Sequence, residues 1–227
     1  MGRREEAKEE RRQRIVCAAR ELIRETGDAG LSMRALARRA GVSLTTPYNL
    51  FGSKRAIILG TLQDAAVFRE GLDKYRHQGP LERIFGTLTV AAKMYAADQR
   101  FYLPLFQALF DIRGGAEYRT FFGPSRHAFW RTLVVEAMQA ELIDPDLNVD
   151  LFTSALEQSI LSSLLQWTLG DIGPQHLEPG LHYGFAIVLG GVATDKSRDV
   201  LKARREAAEA RLLQLFPMDA VGVTAAE

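Results

Sequence analysis

The stretch "AGVSLTTPYNLFGSK" at residues 40–54 decides how the N-terminal part of the chain folds. It sets uncharged polar residues around Pro47, on a segment long enough for about two helical turns. When Pro47 is taken as the inward direction and each residue advances 100°, Thr45 and Asn49 point almost directly outward. The residues that fall within about 60° of Pro47 are Ser43, Leu44, Leu50 and Phe51. The stretch therefore predicts a short helix with a buried apolar side and an exposed polar ridge.

A turn and a second short helix precede this ridge. Ser32 can cap a helix over residues 33–40, and Gly41 ends it because glycine adopts positive φ readily. Ser43 is then expected to begin the next helix, with Pro47 near its first turn, where a missing N–H costs little. This order of helix, turn and helix is that of a helix-turn-helix. A purely structural helical hairpin with a solvated polar side is the alternative interpretation.

Charge is distributed unevenly along the chain. Residues 1–60 contain 13 Lys and Arg against 7 Asp and Glu, a net charge of +6. The other 167 residues contain 16 against 21, a net charge of −5. A basic first quarter on an acidic remainder indicates an anionic partner for the N-terminal part alone. Together with the helix-turn-helix pattern, this charge predicts DNA binding.

The second helix of a helix-turn-helix is presented to the major groove of DNA. There, asparagine can pair bidentately with adenine, and threonine can bond a base or touch a thymine methyl group, which suits Thr45, Thr46 and Asn49. Side chains around such a ridge meet phosphates instead, and the N-terminal arginines are placed to do the same. The residues predicted to meet phosphates around the ridge are Arg34, Tyr48, Lys54 and Arg55.

The segment "SMRALARRAGVSLTTPYNLFGSKRAII" resembles the N-terminal domain of TetR-family transcriptional repressors. Members show an Ala-Gly-Val-Ser turn, a recognition helix that ends in Tyr-x-x-Phe, then Ser-Lys and a hydrophobic run. Here these features are Ala40–Ser43, Tyr48–Phe51, Ser53-Lys54 and Ile57-Ile58. The resemblance covers roughly residues 10–62.

This resemblance implies a homodimer that binds a palindromic operator and releases it when a small molecule enters the C-terminal domain. It also implies contacts to phosphates or bases by Ser43, Thr45, Thr46, Tyr48 and Lys54. Two positions depart from the family pattern, since Arg55 stands where members often carry an acidic residue and Asn49 where they often carry histidine. The first departure adds a phosphate contact, and the second bears on the sequence preference.

Helical spacing of apolar residues continues along the chain, without the alternating pattern typical of strands. The sequence predicts an all-α protein, in which an N-terminal three-helix helix-turn-helix domain is joined by a connecting helix to a larger C-terminal helical domain. The clearest break is "HQGP" at residues 77–80. The predicted segments are the helix-turn-helix domain at 1–53, the connecting helix at 54–76, the ligand-binding and dimerisation domain at 77–217 and a flexible tail at 218–227. Helices in the C-terminal domain are predicted at 81–97, 101–111, 117–141, 147–169, 180–190 and 195–216.

Aromatic residues are dense between residues 85 and 130. Core packing is their ordinary role, but adjacent pairs such as Phe101-Tyr102 cannot all face one core. Aromatic surface around a cavity suits an apolar or aromatic effector, and the few charges among these residues disfavour a highly charged one. The predicted ligand-binding residues are Phe85, Tyr95, Tyr102, Phe106, Phe110, Phe122, Trp130 and Trp167.

Two helices, at 147–169 and 180–190, are apolar over more than one face, which indicates burial on more than one side. Small residues such as Gly184 and Ala186 allow close helix approach. We expect the two helices to form a four-helix interface in a homodimer. Packing within one subunit is the alternative.

Other classes of function fit the sequence less well. The four histidines form no pattern with Cys17 or with acidic residues that indicates catalysis, and no glycine-rich phosphate loop occurs, so neither an enzyme nor a cofactor is predicted. Cys17 is expected to be a small filler in the first helix. The charged N-terminus and the lack of a long apolar run predict a cytoplasmic protein. A helical adaptor that binds protein partners rather than DNA is the rival hypothesis.

Overall fold

The computed structural model describes residues 2–27, 31–63, 66–110 and 124–215. Within these ranges the chain is helical, and the one β feature found there is an isolated antiparallel bridge between Ile143 and Ala193. The prediction of an all-α fold is confirmed. The helices are α1 (Arg3–Thr26), α2 (Met33–Arg39), α3 (Thr46–Phe51), α4 (Lys54–Gln63), α5 (Ala66–Asp73), α6 (Pro80–Ala97), α7 (Gln99–Phe110), α8 (Pro124–Gln139), α9 (Val149–Leu169), α10 (Leu177–Gly190) and α11 (Arg198–Leu215). A 3₁₀ turn, Pro174–His176, lies between α9 and α10.

Several sequence predictions fall on residues outside these ranges. They are the first part of the helix predicted at 117–141, the ligand residue Phe122 and the tail at 218–227. The predicted connecting helix is seen as α4 and α5. Because residues 64 and 65 lie between them and outside the described ranges, its continuity stays a prediction.

The described residues form two compact units. The N-terminal unit contains the residues up to Arg69 and also residues 97–110 with Pro124, whereas the C-terminal unit contains residues 70–96 and those from Ser125 onward. The sequence prediction places residues 97–110 in the C-terminal domain, whereas in the structure α7 packs on α1. Phe101 of α7 is fully buried and lies beneath the guanidinium of Arg20, 4.9 Å from its ring centroid. The aromatic density of α7 therefore serves the N-terminal unit.

The core of the N-terminal unit is built along α1. Burial begins at Ile15 and continues on the same side of the helix to Ile23, where Leu36 of α2 and Ile57 of α4 are also fully buried. Gly27 ends α1 in the left-handed conformation at φ 64°. Cys17 does not fill this core as expected, because its side of α1 faces solvent.

In the C-terminal unit, the end of α5 lies very close to α6. A Cβ added to Gly71 would stand 2.5 Å from Cγ1 of Val90, and a Cβ added to Gly86 would overlap the ring of Tyr75. Both positions therefore need glycine. The two contacts hold the last turn of α5, and the residues after it, against α6.

A charged cluster joins α8 to α9 in the same unit. Nδ1 of His127 lies 2.9 Å from Oε2 of Glu157, and Nε of Arg131 donates to Oδ1 of Asp150 at 2.8 Å. The hydrogen bond to Glu157 is the main cause that raises the pKa of His127 above its ordinary value. His182 of α10 differs, because burial lowers its pKa. Nε2 of its ring lies 2.9 Å from Oγ1 of Thr89.

The contribution of His127 to stability is expected to depend on pH. Because its pKa is higher in the folded chain, its contribution is complete below the unfolded value of about 6.5 and is lost as the pH rises through the folded value. His127→Gln should therefore lower the unfolding free energy more at pH 5.5 than at pH 8.5, as measured by urea unfolding. His182→Gln is the matched control and should show the opposite trend. A pH-independent effect of His127→Gln would contradict this assignment.

No helix of the described part of the chain is both long and apolar enough to span a membrane.

Candidate nucleic-acid interface

The turn between α2 and α3 has the predicted geometry at its first residue. Gly41 adopts φ 63°, and the N–H of Val42 donates to the carbonyl of Ala37 at 3.0 Å, which closes the end of α2. The start of α2 is also as predicted, because Oγ of Ser32 accepts a hydrogen bond from the N–H of Ala35. The helix-turn-helix is therefore formed by these residues.

The second helix of this motif begins later than predicted. α3 starts at Thr46, and Ser43 does not cap it. Instead, the hydroxyl of Ser43 shares hydrogen bonds with the hydroxyls of Thr45 at 3.1 Å and Thr46 at 2.7 Å. Three neighbouring hydroxyl groups satisfy one another, and the backbone turns before it becomes helical.

Because of this late start, two of the predicted inward residues are exposed. Leu44 is 49% exposed and Ser43 is also on the surface, since both precede the helix and the 100° advance does not apply to them. The rest of the inward side is as predicted. Pro47 is buried within the first two residues of α3, and Leu50 and Phe51 are half-buried.

The exposed side of α3 is polar and uncharged. Thr45, Tyr48 and Asn49 are exposed, while Thr46 is half-buried. The side chain of Asn49 has no hydrogen-bond partner among the described residues, so its amide is available to a ligand. Such a side chain can both donate and accept, which is what bidentate contact with the edge of a base requires.

Arg12 of α1 holds α3 in place. Its Nη1 donates to the main-chain oxygen of Leu50 at 2.6 Å, and its guanidinium lies 4.3 Å from the ring centroid of Phe51. The Leu50 carbonyl belongs to the last turn of α3, where carbonyls lack partners within the helix. The sequence does not indicate this role, because Arg12 belongs to a basic run whose charge suggests DNA contact instead.

The basic residues around α3 differ in their availability. Arg34 is exposed on the first turn of α2 and has no side-chain partner within the described ranges. Lys54 is the first residue of α4, whose start is capped by Oγ of Ser53, which accepts from the N–H of Ala56. The side chain of Arg55 lies outside what the structure describes.

Arg39 contributes to the positive charge of residues 1–60, which we call the head, but its side chain is already engaged. Its two Nη atoms donate to the carboxylate oxygens of Glu25 at 2.6 and 2.8 Å. This hydrogen-bonded pair lowers the pKa of Glu25 and raises that of Arg39. Arg39 therefore ties α2 to α1.

The predicted ligand-binding residues divide between the two units. Tyr102 and Phe106 are buried on α7 of the N-terminal unit, where Phe106 stacks on Phe110, with ring centroids 6.3 Å apart. The others that the structure describes are buried in the C-terminal unit, namely Phe85, Tyr95, Trp130 and Trp167. Phe122 lies outside the described residues.

Within the C-terminal unit these aromatic residues make close ring contacts. Tyr95 stacks on Trp167 with ring centroids 6.4 Å apart, and Trp130 lies 5.4 Å from Phe185. Phe85 lies edge-on to His182 at 5.3 Å. These contacts fit the core-packing alternative as well as the lining of a site.

Comparison with known proteins identifies the N-terminal segment. Residues 15–60 match the family model described as bacterial regulatory proteins, tetR family. This range contains α2, the turn and α3, together with the buried part of α1 from Ile15. No curated protein is similar enough in sequence to be identified as a relative.

Solved structures show the same fold over most of the chain. FadR of Thermus thermophilus, a TetR-family transcriptional repressor solved in complex with lauroyl-CoA, matches with a TM-score of 0.64 and 22% identity, over 81% of this chain and 95% of FadR. NalD of Pseudomonas aeruginosa, the secondary repressor of the MexAB-OprM multidrug efflux pump, matches at 0.56 and 18%, over 84% and 99%. TylP, a tetR regulator of Streptomyces fradiae, matches at 0.56 and 18%, over 92% and 94%.

The turn before α3 should tolerate a side chain poorly. In Gly41→Ala, the left-handed backbone is expected to cost about 1–2 kcal/mol of unfolding free energy. Steric clash adds little, because the nearest atom to the new Cβ would be Nη1 of Arg14 at 3.8 Å. Gly180→Ala on α10, where nothing lies within 4 Å, is the control and should be neutral or stabilising. Equal losses for both variants in urea unfolding would contradict the strain at Gly41.

Proposed function

Residues 15–60 form a tetR-family DNA-binding domain on a chain with the TetR-family fold, and on this premise we propose that the protein is a repressor that binds a palindromic operator as a homodimer. We further propose that a small apolar or aromatic effector releases the operator. The observation that carries the proposal is the ridge of α3, where Asn49 and Thr45 are exposed without charge above a buried Pro47. An exposed ridge of hydrogen-bonding groups inside a basic head is suited to reading bases rather than to non-specific attraction.

Roles follow from the position of each side chain. Asn49 pairs with a base, adenine being its best partner, and Thr45 and Thr46 contact neighbouring bases or thymine methyl groups. The groups that meet phosphates are those around the ridge, namely Arg34, Ser43, Tyr48, Lys54 and Arg55. They fix the position of α3 in the groove, and Asn49 then selects the sequence.

Selection of bound DNA from a random pool at about 150 mM salt tests this proposal directly. An enriched palindrome would support a dimeric, sequence-specific regulator and would supply the operator as a probe. The rival hypothesis, a helical adaptor for protein partners, predicts neither enrichment nor a steep fall of affinity with salt, whereas DNA binding predicts a slope of about −0.9 per phosphate neutralised.

Asn49 and Lys54 should differ in what they contribute. Asn49→Ala should relax the preference at one base pair of each half-site and cost about 1–3 kcal/mol on the operator, with little change on unrelated DNA. Lys54→Ala is its matched control, because loss of a phosphate contact should weaken all sequences about equally and make the salt slope shallower. Titrations of both variants against operator and scrambled duplexes decide the matter. An equal loss on every sequence for Asn49→Ala would remove it from base reading.

An uncharged apolar stripe supports dimerisation through α9 and α10. Leu151 and Leu169 are 72% and 68% exposed on α9, and Leu165 lies on the same side of that helix. Ile187 is 47% exposed on α10. Large aliphatic side chains exposed in this way are unfavourable in water and suit an isologous contact with the same helices of a second copy. On α9 the exposed polar residues Gln158 and Ser162 lie between Leu151 and Leu165 on the same side.

Part of the small-residue pattern serves the subunit itself. A Cβ on Gly184 of α10 would stand 2.5 Å from Oγ of Ser159 on α9, so these two residues already pack against each other. This contact belongs to the alternative of packing within one subunit. The exposed stripe, rather than Gly184, is therefore the basis of the proposed dimer.

Charge placed on the stripe should separate the subunits. Leu165→Arg and Ile187→Arg should each convert a dimer to a monomer in sedimentation experiments, because an unpaired charge would be buried at the contact. Val200→Arg, at a 44% exposed position of α11 away from the stripe, is the matched control and should stay dimeric. A dimer that survives both stripe variants would contradict this interface.

The proposed effector is apolar or aromatic because the candidate ligand-binding residues have aromatic side chains. FadR, which has the same fold, was solved with lauroyl-CoA, whose acyl chain is apolar although its coenzyme A part is highly charged. In our proposal, effector binding moves the connecting helix and changes the separation of the two heads, which then no longer match successive major grooves about 34 Å apart. Effector and operator must then weaken each other's binding reciprocally, which titration with the selected operator can measure.

A further inference from the structure

The first half of α1 extends beyond the packed part of the N-terminal unit. From Arg4 to Arg14 no side chain is buried, and burial begins only at Ile15. About three helical turns are therefore exposed to solvent. Arg12 is the half-buried exception, since it holds α3. The other side chains of these turns are exposed, which raises the question of what they contact.

Charges on these turns are separated by face. When each residue advances 100°, Arg4, Lys8 and Arg11 fall within about 40° of the inward direction set by Ile15. The opposite side carries acidic and amide side chains, which line a separate surface depression together with Arg14, and these are Glu6, Glu9, Glu10 and Gln13. The basic side thus continues the line of the core-facing residues, and Glu6 and Glu10 lie opposite it. Glu9 and Gln13 also line a second cleft beside Phe51 of α3.

The basic side of α1 lies next to α3. Arg4, Lys8 and Arg11 line one surface cleft with Glu5 of the same helix and with three residues of α3, namely Thr46, Asn49 and Leu50. The residue proposed to read a base is therefore flanked by three cations of another helix. Arg12, one residue further along, fixes the two helices to each other through the carbonyl of Leu50.

These three cations are free to take an anionic ligand. Arg4 has no side-chain partner within the described ranges, and Nε of Arg11 donates only to the carbonyl of Ala7 in its own helix. Lys8 pairs with Glu5 at 3.2 Å, but both side chains are more than half exposed. An exposed pair of this kind is worth little and gives way readily to a phosphate.

Resting on the proposed DNA binding, we propose that the first three turns of α1 are a further DNA-contacting element, in which Arg4, Lys8 and Arg11 hold the sugar–phosphate backbone beside the bases that α3 reads. The stripe spans about 10 Å along the helix. That length matches about three phosphates of one strand, at 3.4 Å of helix axis each. Glu6 and Glu10 lie on the opposite side of the helix, away from the proposed contact.

The test compares variants that keep helix propensity and remove charge. Arg4→Gln, Lys8→Gln and Arg11→Gln, alone and combined, are titrated against operator and scrambled duplexes at several salt concentrations. The triple variant should bind both duplexes more weakly by a similar factor, with a salt slope shallower by about 2–3 per head. Lys202→Gln removes the same charge from an exposed position of α11 in the C-terminal unit and should leave the slope unchanged. Hydroxyl-radical footprinting should show lost protection at the flanks of the site in the triple variant alone.

The outcomes separate this inference from the proposed function. If the wild-type chain selects a sequence and the triple variant keeps the wild-type slope and footprint, this inference is wrong and the proposed function stands. If Lys202→Gln lowers the slope as much as Arg11→Gln, the effect is one of total charge and not of a contacting stripe, which also overturns the inference. A wild-type chain without affinity for DNA would overturn both. Arg11→Lys should restore the slope, whereas a purely structural role of Arg11 would be seen as a lower unfolding midpoint.

Discussion

The N-terminal unit depends on the attachment of α3 to α1. A helix of six residues has too few internal hydrogen bonds to persist alone, so its position has to come from its neighbours. Pro47 supplies the buried contact, and Arg12 supplies a hydrogen bond to an otherwise unpaired carbonyl and a cation–π contact with Phe51. With these in place, α3 holds Tyr48 and Asn49 toward solvent at a defined angle, although neither side chain is itself packed.

The basic charge of this unit has more than one use. Arg39 joins α2 to α1 through Glu25, and Arg24 joins α1 to the residue before α7 through Asp98 at 2.6 Å. Arg12 fixes α3. These arginines are engaged within the protein, whereas Arg34 is not. Not every cation that contributes to the net charge of +6 over the first 60 residues is therefore available to contact DNA.

Much of the fold could be predicted from the sequence, because helical periodicity, the helix stop at Gly41 and the N-cap at Ser32 are local signals. The start of α3 could not, since the choice of Ser43 to bond two neighbouring threonines rather than to cap a helix depends on side-chain geometry. The packing partner of α7 could not be predicted either, because a run of aromatic residues indicates burial but does not indicate which helix covers them. For the same reason the candidate ligand residues were assigned to one site, while the structure divides them between two units.

The glycine contacts between α5 and α6 have a mechanical consequence. Val90 occupies the place where Gly71 lacks a side chain, and Tyr75 occupies the corresponding notch at Gly86, so the two surfaces interlock in both directions. Interlocked helices resist rotation about their own axes and sliding past each other more than helices with smooth contacts. When α6 moves, the last turn of α5 should therefore move with it as one rigid body, without unfolding or rotating.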